Sequence, residues 1–509
     1  MKTRFFIMVI SILLVISCSD DFLSLTPESS ITNANFFKNK DQFDQAMIGA
    51  YASLKVVFAG RASWVMGEMR SDNTFYAFND GNRGPQYLDM EFTDNFLDDG
   101  SSEIIPEKWN GCYVGISRCN KIIAELSTGE KAFLSTDDIN NMIGESKFIR
   151  ALLYFNLVRY FGGVPLYLAP VSNSEDAYQP RASVDDVYTL IIDDLNDAIN
   201  KLSAPIFPQV GRASKGSASM LLADVYLTRK DYELAESKLN SVFQMGYELL
   251  PDYASVFDLS NENSTESIFE VQFQQGVQGL QTDIPYPWMP LSDDVGLITG
   301  FQGAAKYAGW NKVTQEMIDS YEPGDKRLEA SIEIIEGTGV VENMVIEAVR
   351  SPIDYTTPPD KISYAFIKKF LTPHSMVYNT GVNMPVYRYS EALLSMAEVK
   401  NELNLSSEAL PFLNEVRTRA GLTAINETDQ TLLREIIDHE RRIELAFENK
   451  RWLDLVRTDK AIEVMTKNGE YLKPINSFLP DNSYVLTPDK LIFPIPDREI
   501  QVGNLNQNP

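Results

Sequence analysis

Apolar residues recur at helical spacing along most of the chain. Trp109, Tyr113, Ile116, Asn120 and Ile123 follow one another at intervals of four and three, on one face of a helix. Asn120 on that face reads as a buried hydrogen-bonding side chain rather than a ligand contact. Ser135 with Asp138 marks a helix start, and Phe148, Leu152, Phe155 and Val158 carry that helix to Gly162-Gly163, with Pro165 beyond. Ser183 with Asp186 opens another, through Val187, Leu190, Ile191 and Leu195. Residues 218–229 and 232–243 predict a helical hairpin, and residues 392–403 and 407–420 a second. Strand signals are few. Residues 267–273 alternate, with Ile268, Glu270 and Gln272 on one side. Residues 332–335 and 340–345 predict a hairpin around Gly337-Thr338-Gly339. Two stretches fit neither period. Residues 276–310 hold six glycines, the three prolines Pro285, Pro287 and Pro290, and several aromatics. Residues 70–83 form a shorter irregular segment. Loops of that length inside a folded domain usually carry function.

The predicted fold is therefore mainly α, with an irregular, loop-rich second part and a few short strands. The hairpins pair small residues (Ala218, Ala223 and Ala235; Ala392, Ala397 and Ala409) with large ones. This resembles tetratricopeptide packing, which a generic α-bundle shares. Without a low-complexity linker, the parts are expected to be fused: 18–250 as a helical N-terminal region and 251–509 as a C-terminal region.

The N-terminus reads as an address. Lys2 and Arg4 precede the apolar run from Phe5 to Ile16, too short to span a bilayer and fit for a signal peptide over residues 1–17. Ser17-Cys18 resembles the end of a bacterial lipobox, in which Cys18 is lipidated and becomes the mature N-terminus. Ser19-Asp20-Asp21 follows, an acidic start that looks like a signal for display on the outer face of the outer membrane.

Charge narrows the partners. With 45 Lys and Arg against 71 Asp and Glu, the net charge is −26. That excludes nucleic acid and disfavours anionic surfaces as electrostatic partners. Two histidines leave little room for multi-His metal sites or His-based catalysis. Cys112 and Cys119 share a helix face about 10.5 Å apart along the axis, so they read as two buried thiols without a disulfide.

Tests for catalytic chemistry mostly fail, although with 71 carboxylates spacing does not exclude a glycosidase pair. His439-Glu440 begins a zinc-protease pattern, but Ile443 follows where a second His is needed. Gly211 to Gly216 has phosphate-loop glycine spacing, but Ser217 stands where Lys is required. Glu440, Glu444 and Glu448 form a stripe beside Arg441, Arg451, Asp454 and Arg457, read as a structural ion-pair network rather than a catalytic site. Asp72, Asn79 and Asp80 are candidate calcium ligands, set against ordinary solvated acids. No catalytic residue, metal site or cofactor is assigned.

Several blocks together resemble the SusD/RagB family of outer-membrane nutrient-binding lipoproteins. They are Cys18 to Leu23 through Pro27 to Gly49-Ala50-Tyr51; Trp109 to Ile123; Gly144 to Tyr154 continuing to Tyr160 and Pro165; and Arg181 to Ser183 with Val187-Tyr188. Gly211-Arg212 with Leu221 to Tyr226, Arg388 to Glu391 with Ala397-Glu398, and Asn414 to Gly421 follow. Glu440 to Glu448, Arg451 to Arg457, Phe493 to Pro496 and Gln507 to Pro509 complete the series. Asn449 departs from the family's usual glycine, and the usual closing Gly-Tyr does not follow Pro509. The resemblance implies a lipoprotein anchored through Cys18 at the cell surface. It would cap a SusC-like TonB-dependent transporter and bind a glycan or other nutrient without catalysis. Alternatives are a peptide-binding member of the same family, a surface glycoside hydrolase, and a structural tetratricopeptide adaptor.

A neutral sugar needs apolar faces to stack on and a few polar groups to orient it. The irregular segments supply both. Phe75, Tyr76, Asn79, Asn82 and Arg83 lie in the first; Tyr286, Trp288, Phe301, Tyr307 and Trp310 lie in the second. Trp288, between Pro287 and Met289-Pro290, is the first candidate for an exposed stacking residue; the alternative packs it against the core. Trp310 is read as core, as are Trp64, Trp109 and Trp452.

Overall fold

The computed structural model describes residues 36–508 apart from residue 82 and residues 341–342. The signal peptide and Cys18 lie outside the described residues.

Among the described residues, seven helices of ten residues or more build the first half: α1 Lys40–Ala59, α2 Pro85–Asp94, α3 Ile105–Ser127, α4 Thr136–Phe161, α5 Val184–Lys201, α6 Lys215–Thr228 and α7 Tyr232–Phe243. Among the described residues, six more follow the strand-bearing part: α8 Tyr389–Glu402, α9 Ser406–Arg419, α10 Gln430–Glu444, α11 Arg451–Arg457, α12 Ala461–Leu472 and α13 Asp497–Gly503. Except for α2, the helices of the first half pack in series: α1 on α3, α3 on α4, α4 on α5, α5 on α6, α6 on α7. Helix α7 then contacts α8, which packs on α9 and α10. Stacked hairpins of this kind are the tetratricopeptide-like architecture that the alanine-rich pairs predict. Helix α4 packs against helices on both sides of it in the series, and every residue from Phe148 to Val158 is buried. Ser135 caps it: Ser135 Oγ accepts from Asp138 N–H, and the Asp138 carboxylate accepts from Ser135 N–H. Ser183 caps α5 with its side chain alone: Ser183 Oγ accepts from Asp186 N–H. Within the array Arg150 donates twice to Asp194, at 2.7 and 2.8 Å, and once to Asn120 Oδ1. Asn120 in turn donates to Tyr167 O at 2.8 Å, the buried polar role expected of it. Cys112 and Cys119 are buried free thiols, pushed up to about 12 by burial.

Among the described residues, seven strands interrupt the helices: β1 Thr74–Tyr76, β2 Ser267–Val271, β3 Asn311–Val313, β4 Ile332–Val340, β5 Asn343–Arg350, β6 Ile362–Ile367 and β7 Met384–Arg388. They pair antiparallel as β1–β3, β2–β7 and a three-stranded sheet β5–β4–β6. Strand β2 is buried along its whole length, because α1 and α6 pack against it and β7 pairs with its edge. Its alternation therefore marks no solvent face. The expected β4–β5 hairpin forms, but its turn is not at Gly337–Gly339. Those residues lie inside β4, and pairing continues to Val340 opposite Asn343.

Glu440 and Glu444 on α10 and Glu448, which lies four residues beyond its end, enter a buried ion-pair network. Glu444 accepts from Arg388, Arg419 and Arg327; Glu448 accepts from Arg388 and Lys369; Glu440 pairs with Arg327 and Arg417. Burial alone would raise Glu444, but Arg419, Arg388 and Arg327 hold it well below the usual carboxylate range. These carboxylates are structural, as the sequence pattern suggests.

Candidate functional site

The two irregular segments meet. Strand β1 belongs to the first and β3 directly follows the second, and their register sets Phe75 opposite Lys312 and Tyr76 opposite Asn311. Ala77 N–H donates to Trp310 O at 3.1 Å and extends the ribbon by one step. Buried arginines pin its base. Arg70 donates to Thr93 O and pairs with Asp98, and its guanidinium lies 4.2 Å from the Phe96 ring. Arg451 clamps Asp72 with two bonds of 2.8 and 3.0 Å, and Arg442 stands 3.2 Å away. Burial opposes ionisation of Asp72, but Arg442 and Arg451 outweigh it and keep the carboxyl well below its ordinary value. Asp72 is thus committed to arginine, which corrects its candidacy as a calcium ligand.

The ribbon sorts the nominated aromatics into buried and half-buried sets. Trp288 is 0% exposed, its ring 5.9 Å from that of Phe370. This corrects the expectation of an exposed stacking residue. The cause is the fold of its own segment. Tyr286–Trp288 is a single 3-10 turn; Pro287 O accepts from Trp310 N–H and Met289 O from Gly309 N–H. The proline-rich stretch closes on itself as an internal plug. Tyr286 is buried too, its hydroxyl 2.8 Å from His374 Nε2 and its ring 4.7 Å from that of Tyr378. Tyr76 is buried with its N–H donated to Asp94. None of these three faces solvent. Asn82 lies outside the described residues.

Phe75, Arg83 and Tyr307 remain half-buried at the surface. Tyr307 is held by its N–H, which donates to Tyr378 Oη at 2.6 Å, and its ring lies 5.9 Å from Trp310. Trp310 is core, as expected, and its indole stacks on Tyr87 at 4.4 Å with an 18° interplanar angle. Arg83 pairs with Glu91 and sits 4.7 Å over the Phe78 ring, which stacks on Phe478 at 4.4 Å. The platform consists of two partly exposed ring groups: Tyr87 and Tyr307, each packed on Trp310, and Phe78 and Phe478, with Arg83 over Phe78. Phe78 lies within residues 70–83 and could have been named from them. Tyr87 is on α2, one turn before Glu91. Phe478 arrives from 400 residues away, and nothing local in the sequence points to it. Beneath the platform, Asp94 accepts from Tyr76 N–H and Tyr484 O–H, and burial raises it to about 7. This geometry suits stacking and orientation of a ring-bearing ligand.

Comparison with known proteins agrees along both halves. Residues 265–509 match the family described as SusD family, and residues 21–227 match the SusD-like family described as starch-binding associating with outer membrane. SusD-like protein P2 of Formosa agariphila is 29% identical, over 98% of this chain and 97% of its own. Among solved structures, a laminarin-binding SusD-like protein is 26% identical with a TM-score of 0.74, covering 93% of this chain and all of its own. Surface glycan-binding protein A of Bacteroides thetaiotaomicron, in complex with laminarihexaose, shares the fold at a TM-score of 0.73 and 23% identity, over 92% of this chain and 99% of its own. Two SusD-type families claim successive parts of the sequence and relatives span nearly all of it, so the chain belongs to the SusD family.

Proposed function

We propose that this protein is a non-catalytic glycan-binding lipoprotein of the outer cell surface, anchored through Cys18, that hands its ligand to a SusC-like TonB-dependent transporter. The observation that carries the ligand class is the pair of partly exposed ring groups, Tyr87 and Tyr307 on Trp310 and Phe78 with Phe478 beside Arg83. Such faces match the apolar faces of neutral sugar rings, and a chain of net charge −26 repels anionic ligands. The laminarin-binding relative at 26% identity supports a neutral polysaccharide. The outer-membrane description of the matched family and the lipobox-like Ser17-Cys18 support the location. Among the described residues no helix is long and apolar enough to cross a membrane, which fits attachment by lipid. The division into 18–250 and 251–509 is part of the same proposal.

The test is affinity electrophoresis of soluble residues 19–509 against a panel of neutral polysaccharides, including laminarin and starch, and against peptides, with calorimetry on each hit. Glycan binding is expected, and Tyr307→Ala should weaken it by about tenfold or more, or about 1.4 kcal/mol. Peptide binding alone would keep the family and overturn the glycan. Release of reducing ends would make the protein a hydrolase. Binding to the transporter with no ligand of its own would make it an adaptor.

A further inference from the structure

A second cleft lies on the helical array and shares no residue with the platform. It has a volume of about 380 Å³, within the range of small-ligand sites. Its walls come from α3, the segment after Pro165 and the short helix Asp497–Gly503. Trp109, Tyr113, Tyr167 and Tyr178 line it, with Gln179 and Glu499. The rings stand at angles to one another: Trp109 lies 5.1 Å from Tyr113, and Tyr113 meets Tyr167 edge-on at 5.7 Å. Tyr178 is 55% exposed and forms an open lip.

The phenols and the carboxylate of the lining offer acceptors, beside Asn110 and Ser117, which can donate as well as accept. Tyr113 donates its hydroxyl hydrogen to Pro165 O at 2.9 Å, and Tyr167 donates its own to Ala177 O at 2.8 Å. Each phenol oxygen therefore keeps only acceptor capacity for a ligand. Gln179 donates its amide to Asp176 O, and Asn120 donates its amide to Tyr167 O. Glu499 adds a carboxylate, close enough to both phenols to raise them further above their burial-shifted values. No Lys, Arg or His is among the described residues that line the cleft. Arg181, which approaches Tyr113 from outside the lining, is engaged with Gly163 O, Phe161 O, Asn506 O and Asn508.

From aromatic faces, acceptor-only phenols and one carboxylate, we infer that this cleft binds an organic ammonium group, presented by an amino sugar or by a lysine side chain. Aromatic rings attract a cation through their negative faces, and a carboxylate adds charge-assisted hydrogen bonds to its N–H groups. The net charge of −26 favours the same sign of ligand.

The experiment is calorimetry of the soluble protein with four probes: glucosamine, N-acetylglucosamine, Nα-acetyl-lysine amide and its Nε-acetylated form. At least one free amine should bind about tenfold or more tightly than its acetylated partner, and less tightly as salt rises. Glucosamine alone would identify a sugar subsite, and the lysine probe alone a contact for a basic segment of a protein. Glu499→Gln, at a partly exposed position, should weaken amine binding about tenfold; Tyr178→Ala at the lip should weaken it severalfold without touching the core. Equal binding of free and acetylated probes, no binding of either amine, or indifference to Glu499→Gln with unchanged circular dichroism would each overturn the assignment.

Discussion

Trp288 and Tyr307 lie nineteen positions apart in one irregular segment, and the fold gives them opposite fates. Trp288 sits in the plug beside Phe370, so Trp288→Ala should leave a cavity and cost about 3–5 kcal/mol in urea unfolding. Any loss of ligand in that variant should follow its loss of stability. Tyr307→Ala should show the reverse split, with binding lost and unfolding little changed, because its ring is already half in water. A Trp288→Ala variant of full stability that no longer binds glycan would return that indole to the surface. Composition marks both segments as rich in rings, but it cannot say which ring faces out. That depends on hydrogen bonds closing the segment on itself, such as Gly309 N–H to Met289 O, and on partners far away, such as Phe478 under Phe78. Where a residue's role follows from its own helix face, as for Asn120, Cys112 and Cys119, periodicity is enough.

At the level of elements, caps and periods are the legible part. Helix α4 starts where Ser135 and Asp138 form their reciprocal pair, and α7 spans Tyr232–Phe243 as its apolar spacing predicts. Ser135→Ala should destabilise the protein by about 1 kcal/mol, read as a lower urea midpoint with an unchanged slope. A shift of zero would mean that the α4 start is held by packing and by the Lys40–Asp138 pair alone. The β4–β5 hairpin shows where local signals mislead. Gly337 and Gly339 look like turn residues. Gly337 instead sits at a register shift inside the ladder, where a Cβ would fall 2.0 Å from Val345 O. Glycine is required by close approach of two strands at a bulge, which leaves the same letter in the sequence as a turn does. Ribbon β1–β3 was illegible for another reason: it joins two three-residue strands more than 230 positions apart, and no periodicity survives over three residues.

Across the whole molecule, the buried charges predict how stability follows pH. Asp72, Glu444 and Asp454 are buried, yet their arginine partners hold each well below its ordinary value. Their folded pKa lies below the unfolded one, so they contribute stability above about pH 4 that is lost as pH falls. Glu68 and Asp94 are the opposite case. Burial raises both to about 7, and neither makes an ion pair among the described residues. Their folded pKa lies above the unfolded one, so their contribution is complete below about pH 4 and is lost as pH rises through about 7. The growing net negative charge adds self-repulsion in the same direction. The melting temperature should therefore peak in mildly acidic solution and fall on both sides. Each limb can be dissected. Asp94→Asn keeps an oxygen to accept from Tyr76 N–H and Tyr484 O–H and removes the ionisation. It should match the parent near pH 4, exceed it increasingly up to about pH 7 and at pH 8, and leave the acid limb alone; adding Glu68→Gln should flatten the neutral limb further. Glu444→Gln should instead lower stability at every pH above 4, by about 3–5 kcal/mol, because Arg388, Arg419 and Arg327 then lose a shared buried counter-charge. A melting temperature that is flat from pH 5 to 8, or an Asp94→Asn variant whose slope over that range equals the parent's, would show that Asp94 does not take up its proton in the folded protein.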